Sequence, residues 1–322
     1  MDGSRHRLSL RLSVTDRCEL RCRYCMPAEG VPRVSHHDVL RFEEILRVVD
    51  LLRERFGLYK VRLTGGEPLL RSGILELVSA LSQRADLDLA LTTNGQRLLD
   101  LAGPLRSVGL GRLNVSLDSL DPGKYRELTR GGRLERTLQG IEAALAAGFS
   151  PIKLNTVVLR GVNLDEVGRI AGFALERGLT PRFLELMPIG CARQFFEREF
   201  VSSAEVREAL AREYSLSPLP VNPVSSSREF TAEGPGRLRG VIGLISSESR
   251  PFCAGCDRLR LTSTGTLIGC LARGDGCDLR RFLRLGGGDA VEEMAQAVHQ
   301  VVADKRPREE FARADLMPLL GG

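Results

Sequence analysis

The sequence predicts an α/β fold, an incomplete (β/α)6 barrel of the TIM type followed by a C-terminal extension. Three observations predict it. Six strand-like segments alternate with helix-like ones between residues 9 and 188, and that rhythm implies parallel βα units. Each strand is apolar on one face only, whereas a parallel sheet sandwiched between helices reads as a nearly continuous apolar run. Past residue 188 the rhythm stops and a different composition begins.

The strand candidates are 9–15, 60–66, 87–95, 112–118, 151–159 and 180–188. Apolar residues at three- and four-residue spacing predict helices over 42–55, 72–84, 134–147 and 163–177. In the first strand Leu10, Leu12 and Val14 alternate with Arg11, Ser13 and Thr15. Because successive side chains point to opposite faces, the same alternation gathers Arg62, Thr92, Asn114, Ser116, Lys153, Asn155 and Arg182 on one face. A filled barrel is lined with branched apolar residues, so this polar face predicts a lumen that holds a polar ligand. The competing reading is a sheet face open to water, which is rare for parallel sheets. Beyond residue 188, a helix is expected over 197–213, a Ser-, Pro- and Gly-rich linker over 214–240, and a helix over 289–304. The expected units are therefore 1–188 and 189–322.

The chain has 322 residues, 43% of them hydrophobic, enough for a sizeable core. No apolar run approaches the roughly 20 residues that span a bilayer. The N-terminus lacks the apolar region of a secretory signal, so a cytoplasmic location is expected. Net charge is +5, with only four lysines among 46 basic residues. Compositional bias is the plain reading of that excess of Arg. No basic stripe or known module points to nucleic acid, but the charge suits a polyanionic small substrate. Eight cysteines in a reducing compartment point to metal or redox chemistry rather than disulfides.

Cys18, Cys22 and Cys25 form C-x3-C-x2-C directly after the first strand, at the strand end where barrel chemistry sits. A structural zinc wants four closed ligands, and no fourth Cys or His is near in sequence. A four-iron cluster held by three thiolates leaves one iron open. On spacing alone, zinc and a ferredoxin-type cluster also stand. Cys253, Cys256 and Cys270 form C-x2-C-x13-C. With Cys277 as a fourth ligand they would make a closed zinc site; without it, a second three-thiolate cluster. Cys191 reads as a packed thiol.

The CRYC core of the first triplet, Gly65-Gly66-Glu67-Pro68, Thr92-Thr93-Asn94-Gly95 and Asn114–Asp118 follow one another in the order found in radical S-adenosylmethionine enzymes, which this chain resembles. The second cysteine stretch, SVTDRC with Arg11 seven residues before Cys18, and the closing Gly321-Gly322 resemble the GTP 3′,8-cyclase family of molybdenum cofactor biosynthesis within that superfamily. One departure stands out: Asp257-Arg258 replaces the Asn-Arg usual there.

The resemblance implies two [4Fe-4S] clusters, one on Cys18, Cys22 and Cys25, which is catalytic in generating the radical, and one on Cys253, Cys256 and Cys270 in the C-terminal extension. It implies S-adenosylmethionine contacts at Tyr24, Gly66, Ser116 and Met187, with the Gly-Gly turn letting backbone approach the ligand. It implies GTP contacts at Arg11, Arg62, Thr92, Lys153, Arg258, Leu259, Arg260 and Arg182; for each arginine, a surface position in solvated pairs is the bland alternative. It further implies an external electron donor, a downstream cyclic pyranopterin monophosphate synthase, a diglycine tail that reaches the site, and a homodimer as one compatible assembly. A radical enzyme with an auxiliary cluster acting on a peptide, and a zinc-binding interaction or RNA-binding module, are the rivals.

Overall fold

A computed structural model describes residues 7–32, 34–272, 276–284 and 289–305. The first half runs β1 (Leu8–Ser13), α1 (Phe42–Phe56), β2 (Leu58–Thr64), α2 (Ile74–Ser82), β3 (Asp88–Thr93), α3 (Leu98–Ser107), β4 (Arg112–Ser116), α4 (Pro122–Thr129), α5 (Leu134–Ala146), β5 (Lys153–Val158), α6 (Val167–Glu176) and β6 (Thr180–Glu185). The second half runs α7 (Phe196–Glu199), α8 (Ser203–Leu210), β7 (Ser215–Pro218), β8 (Arg228–Glu233), β9 (Arg239–Ile245), β10 (Arg258–Leu261), β11 (Thr266–Ile268), β12 (Gly276–Asp278), α9 (Arg280–Arg284) and α10 (Asp289–Ala303).

Among the described residues, twelve strands form one sheet in the order β12-β11-β10-β1-β2-β3-β4-β5-β6-β9-β8-β7. Its middle, from β10 through β1–β6 to β9, is entirely parallel. Strands from beyond residue 188 thus flank the six βα units on both sides, and antiparallel ribbons finish each edge. One face of the sheet is greasy as expected: Leu10, Leu12, Val61, Leu63, Leu91, Leu113, Val115 and Leu154 are buried under the helices. Each such side chain contributes about 1.5–3 kcal/mol by leaving water. In α1 the residues Ile45, Val48, Val49 and Leu52 recur at helical spacing and are fully buried against that face; Gly57 then ends the helix at φ 68°, where a side chain would be strained.

Two expectations need correction. The single helix over 197–213 is broken into α7 and α8, because Ser202 and Glu205 form a reciprocal cap that starts a new helix. The linker over 214–240 is not a loop. It folds into β7 and β8 and enters β9, forming an antiparallel ribbon along the β6 side of the sheet. Its prolines do not prevent this, because Pro218 ends an edge strand that has no ladder bond to lose on its outer side.

A small apolar cluster of Ile189 and Ile268, with Met187 and Leu271 against it, joins the loop after β6 to the end of β11. It brings the segment that carries Cys270 to the same mouth of the barrel. Among the described residues, no helix is long and apolar enough to cross a membrane.

Candidate active site

The first cysteine triad lies in the loop that leaves β1. The loop turns on the Cys22 carbonyl, which accepts from the amides of Cys25 at 2.8 Å and Met26 at 2.9 Å. It is strapped to the end of α4 by Arg21 N donating to the Thr129 carbonyl at 3.0 Å and Arg23 N to that of Leu128 at 2.9 Å. The Arg21 guanidinium donates to the Cys18 carbonyl, and the Asn94 amide reaches Cys18 Sγ at 3.9 Å. The three thiols are electrostatic neighbours. Burial pushes Cys18 and Cys25 up to about 12, so these thiols are inert until a metal displaces their protons. Among the described residues, no three His, Cys, Asp or Glu side chains lie close enough to share one ion. A four-iron cluster takes each of three thiolates on a different iron and leaves the fourth iron open.

The Gly65-Gly66 turn is built by packing against this loop. A Cβ on Gly65 would lie 2.5 Å from the Thr15 carbonyl oxygen, and one on Gly66 2.3 Å from that of Arg17. Gly66 N and Glu67 N donate to those same carbonyls at 2.8 and 2.7 Å. Glu67 is fully buried and accepts from Leu69 N, Thr93 Oγ1 and Asn94 N, tying the turn after β2 to the one after β3. Burial raises its carboxyl to about 7, despite those donors.

Of the residues expected at S-adenosylmethionine, Tyr24 lies in this loop and Gly66 packs against it. Tyr24 donates its hydroxyl to Asp118 Oδ2 at 2.6 Å, and Asp118 Oδ1 accepts from Val157 N. Ser116 ends β4 beside Asn155, and Met187 packs in the mouth cluster. Cys191 is half-exposed rather than buried, and it lies near enough to Cys25 to raise its pKa.

In the second triad, Cys253 and Cys256 share a tight turn in which Cys256 N donates to the Cys253 carbonyl at 3.1 Å. Burial pushes the Cys256 thiol up, but Arg258 and then Lys305 outweigh it and leave the thiol below its ordinary value. Cys270 follows β11, while Cys277 sits in β12 opposite Leu267 and packs on the main core.

The lumen face carries the charge. Strand register sets Arg260, Arg11 and Arg62 side by side on β10, β1 and β2. A cavity there is lined by Arg11, Lys60, Arg62, Lys153, Arg182 and Arg258. Burial and then the neighbouring cations hold Arg62 and Arg260 down to about 10, Arg182 to about 9 and Lys153 to about 8; Arg11 is lowered well below its usual value in the same way. Arg62 Nε and Arg258 Nη2 are buried with no hydrogen-bond partner among the described residues. Buried donors are normally satisfied, so the cavity is shaped for an anion with several acceptor oxygens. Arg182, only 4% exposed, is braced by donating to Asn155 Oδ1 at 3.0 Å and Asn114 Oδ1 at 2.8 Å. Thr92 stands outside the immediate lining and accepts from Asn114 Nδ2 at 3.3 Å.

Leu259 can offer the lumen its backbone only. Lying between Arg258 and Arg260 on a strand, it points its side chain the other way, 0% exposed and packed in the core. The cavity also includes residues that the sequence reading missed. Lys60 and Ser9 share the lumen face with Arg62 and Arg11, one step toward the strand starts. Asp257 accepts from Ser9 Oγ and Tyr59 OH, each at 3.0 Å. Both its oxygens are thus engaged by the chain, and the donor that an Asn would offer is absent.

Val224, Ser225 and Ser226, from the segment expected to be a linker, cover part of the cavity. Gly255 permits this, because a Cβ there would lie 2.0 Å from the Pro223 carbonyl oxygen. Gly255→Ala is expected to push that segment off the cavity and lower kcat/KM for the lumen ligand by up to about 10²-fold. Cofactor cleavage at the first triad should persist; steady-state assays of both activities check this.

Residues 12–174 match the model of the Radical SAM superfamily, and residues 179–311 match that of Molybdenum Cofactor Synthesis C. A GTP 3′,8-cyclase of Pelotomaculum thermopropionicum is 44% identical over 306 residues, covering 93% of this chain and 91% of its own length. A GTP 3′,8-cyclase of Geobacter sulfurreducens is 40% identical over 95% of each chain, and one of Peptoclostridium acidaminophilum is 42% identical over 100% of this chain and 98% of its own. The solved structure of Streptococcus suis SuiB bound to S-adenosylmethionine overlays with a TM-score of 0.65 at 14% identity, covering 98% of this chain and 72% of that one; it shares the fold.

Proposed function

The chain belongs to the radical S-adenosylmethionine superfamily and, within it, to the GTP 3′,8-cyclase family, and from that membership we propose that it is a lyase that cyclises GTP to (8S)-3′,8-cyclo-7,8-dihydroguanosine 5′-triphosphate, the first step of molybdenum cofactor biosynthesis. The observation that carries the substrate assignment is the row Arg260–Arg11–Arg62 together with the unpartnered buried Arg62 Nε and Arg258 Nη2. Such a crowd of cations is costly alone and is relieved by a triphosphate, whose oxygens accept paired bonds from guanidinium forks.

In this reading residues 1–188 generate the radical and residues 189–322 complete the substrate chamber. Cys18, Cys22 and Cys25 would hold the radical-generating cluster, and Cys253, Cys256 and Cys270 the second. When bound, the clusters and S-adenosylmethionine would supply one-electron cleavage to 5′-deoxyadenosine; loss of hydrogen from C3′ of the ribose, C3′–C8 bond formation and uptake of one further electron and a proton then give the 7,8-dihydro product, an isomer of GTP. The residues do the rest. Tyr24, fixed by Asp118, with Gly66, Ser116 and Met187, lines the cofactor side. Arg11, Arg62, Lys153, Arg182, Arg258 and Arg260 hold the triphosphate and so fix the ribose relative to the cofactor. The Met187–Ile189–Ile268–Leu271 cluster keeps water from the mouth. The diglycine tail, Gly321-Gly322, lies outside the described residues. An external one-electron donor, a cyclic pyranopterin monophosphate synthase that consumes the product, and the reducing cytoplasm that suits eight free thiols belong to the same reading.

GTP deuterated at C3′ tests this assignment. One deuterium per turnover should appear in 5′-deoxyadenosine. Its absence, with GTP consumed, overturns the proposed hydrogen abstraction.

Lys153 adds a pH signature. With its ammonium held to about 8 in the free protein by burial and then Arg182 and Arg112, charge is lost as pH rises. KM for GTP should therefore climb above about pH 8 and level off only at a higher pH, set by how strongly GTP favours the charged form. Lys153→Met should raise KM at neutral pH and flatten that limb.

A further inference from the structure

The C-terminal helix ends on the second cysteine site. Lys305, just past α10, donates from Nζ to the Arg258 carbonyl at 2.5 Å and the Gly269 carbonyl at 3.0 Å, with Cys256 Sγ at 3.9 Å. Arg258 lies two residues after Cys256, and Gly269 immediately precedes Cys270. The β10–β11 ladder pairs Arg260 with Ile268 and Leu261 with Leu267 and goes no further. The two carbonyls therefore stand at its open end, where the segments bearing the ligands part. Gly269 is shaped for this approach: a Cβ there would lie 2.8 Å from the Val301 carbonyl oxygen and 3.4 Å from Lys305 Cγ.

We propose that Lys305 is a positioning residue of the second cysteine site, clasping the two chain segments that carry Cys256 and Cys270 and placing a fixed positive charge beside the Cys256 sulfur. The proposal rests on the reading of Cys253, Cys256 and Cys270 as cluster ligands. A compact ammonium with three tetrahedral donors suits three converging acceptors; a planar guanidinium does not. The chain places one of its four lysines here while Arg supplies nearly all its other basic residues. A cation beside a cluster ligand also favours the reduced, more negative state and so raises its potential.

The test uses the full chain, reconstituted anaerobically, with iron content, electron paramagnetic resonance and redox titration as readouts. Lys305→Met should lower occupancy of the second cluster toward that of Cys256→Ala, leaving the first cluster's signal intact. Lys305→Gln keeps a donor without the charge; it should retain the cluster and shift its midpoint potential negative. Unchanged occupancy and potential in both variants would overturn the proposal, as would equal loss of both clusters in Lys305→Met, which marks a general folding role. If the unmodified chain takes up only one cluster, the reading of the second triad itself fails, a result distinct from either.

Discussion

Cys22→Ala is expected to abolish 5′-deoxyadenosine formation, a loss of well over the roughly 10²-fold that follows removal of a mere outer-shell partner. The reason is geometric. Cys22 supplies the carbonyl on which the loop turns as well as one of three neighbouring thiols, and the backbone turn survives the substitution while the ligand does not. Reconstituted Cys22→Ala should lack the first cluster's spectroscopic signal and keep the second's. Cys191→Ala is the matched comparison, because Cys191 lies beside Cys25 but outside the triad. It should cleave S-adenosylmethionine at close to the unmodified rate. Loss of cleavage in Cys191→Ala would mean that the ligand set is wrong.

Arg62→Met should move two quantities in opposite directions. KM for GTP should rise about 10- to 100-fold, the worth of one charge-assisted hydrogen bond or a bidentate pair. The ligand-free protein should melt at a higher temperature. Folding lowers Arg62's hold on its proton to about 10, through burial and then repulsion from Arg112 and Arg258. Its charged form therefore opposes folding at every pH below about 10, neutral pH included, and replacing a largely desolvated charge that its neighbours repel by an apolar side chain relieves that cost. An arginine that served only structure would lose stability on substitution. Thermal melts without ligand, set against steady-state KM, separate the two cases.

Much of this site was legible because strand parity is a hard rule. The alternation Leu10-Arg11-Leu12 and Val61-Arg62-Leu63 placed the guanidinia on the lumen face before any coordinates did. The same rule carried two residues back would have found Ser9 and Lys60, and applied to Arg258-Leu259-Arg260 it would have set Leu259 in the core. That stretch is itself a strand, hidden in sequence by the cysteines around it. The flanking strands β9 and β10 were harder to foresee. Each joins its parallel neighbour only after a long excursion, and no local pattern encodes such a pairing. The 214–240 segment misled for a different reason. Its Ser, Pro and Gly are turn-forming by propensity, whereas the ribbon there is fixed by pairing with β9. The Lys305 clasp depends on a helix end meeting a hairpin end, and tertiary packing alone sets that contact.

The most direct test of the central claim is an anaerobic turnover experiment. The reconstituted protein is mixed with dithionite, S-adenosylmethionine and GTP, and nucleosides and nucleotides are followed by mass spectrometry. The account predicts 5′-deoxyadenosine and a cyclised isomer of GTP in equal amounts, both absent when Cys22 is replaced. Formation of 5′-deoxyadenosine by fully iron-loaded protein that leaves GTP unchanged would contradict it.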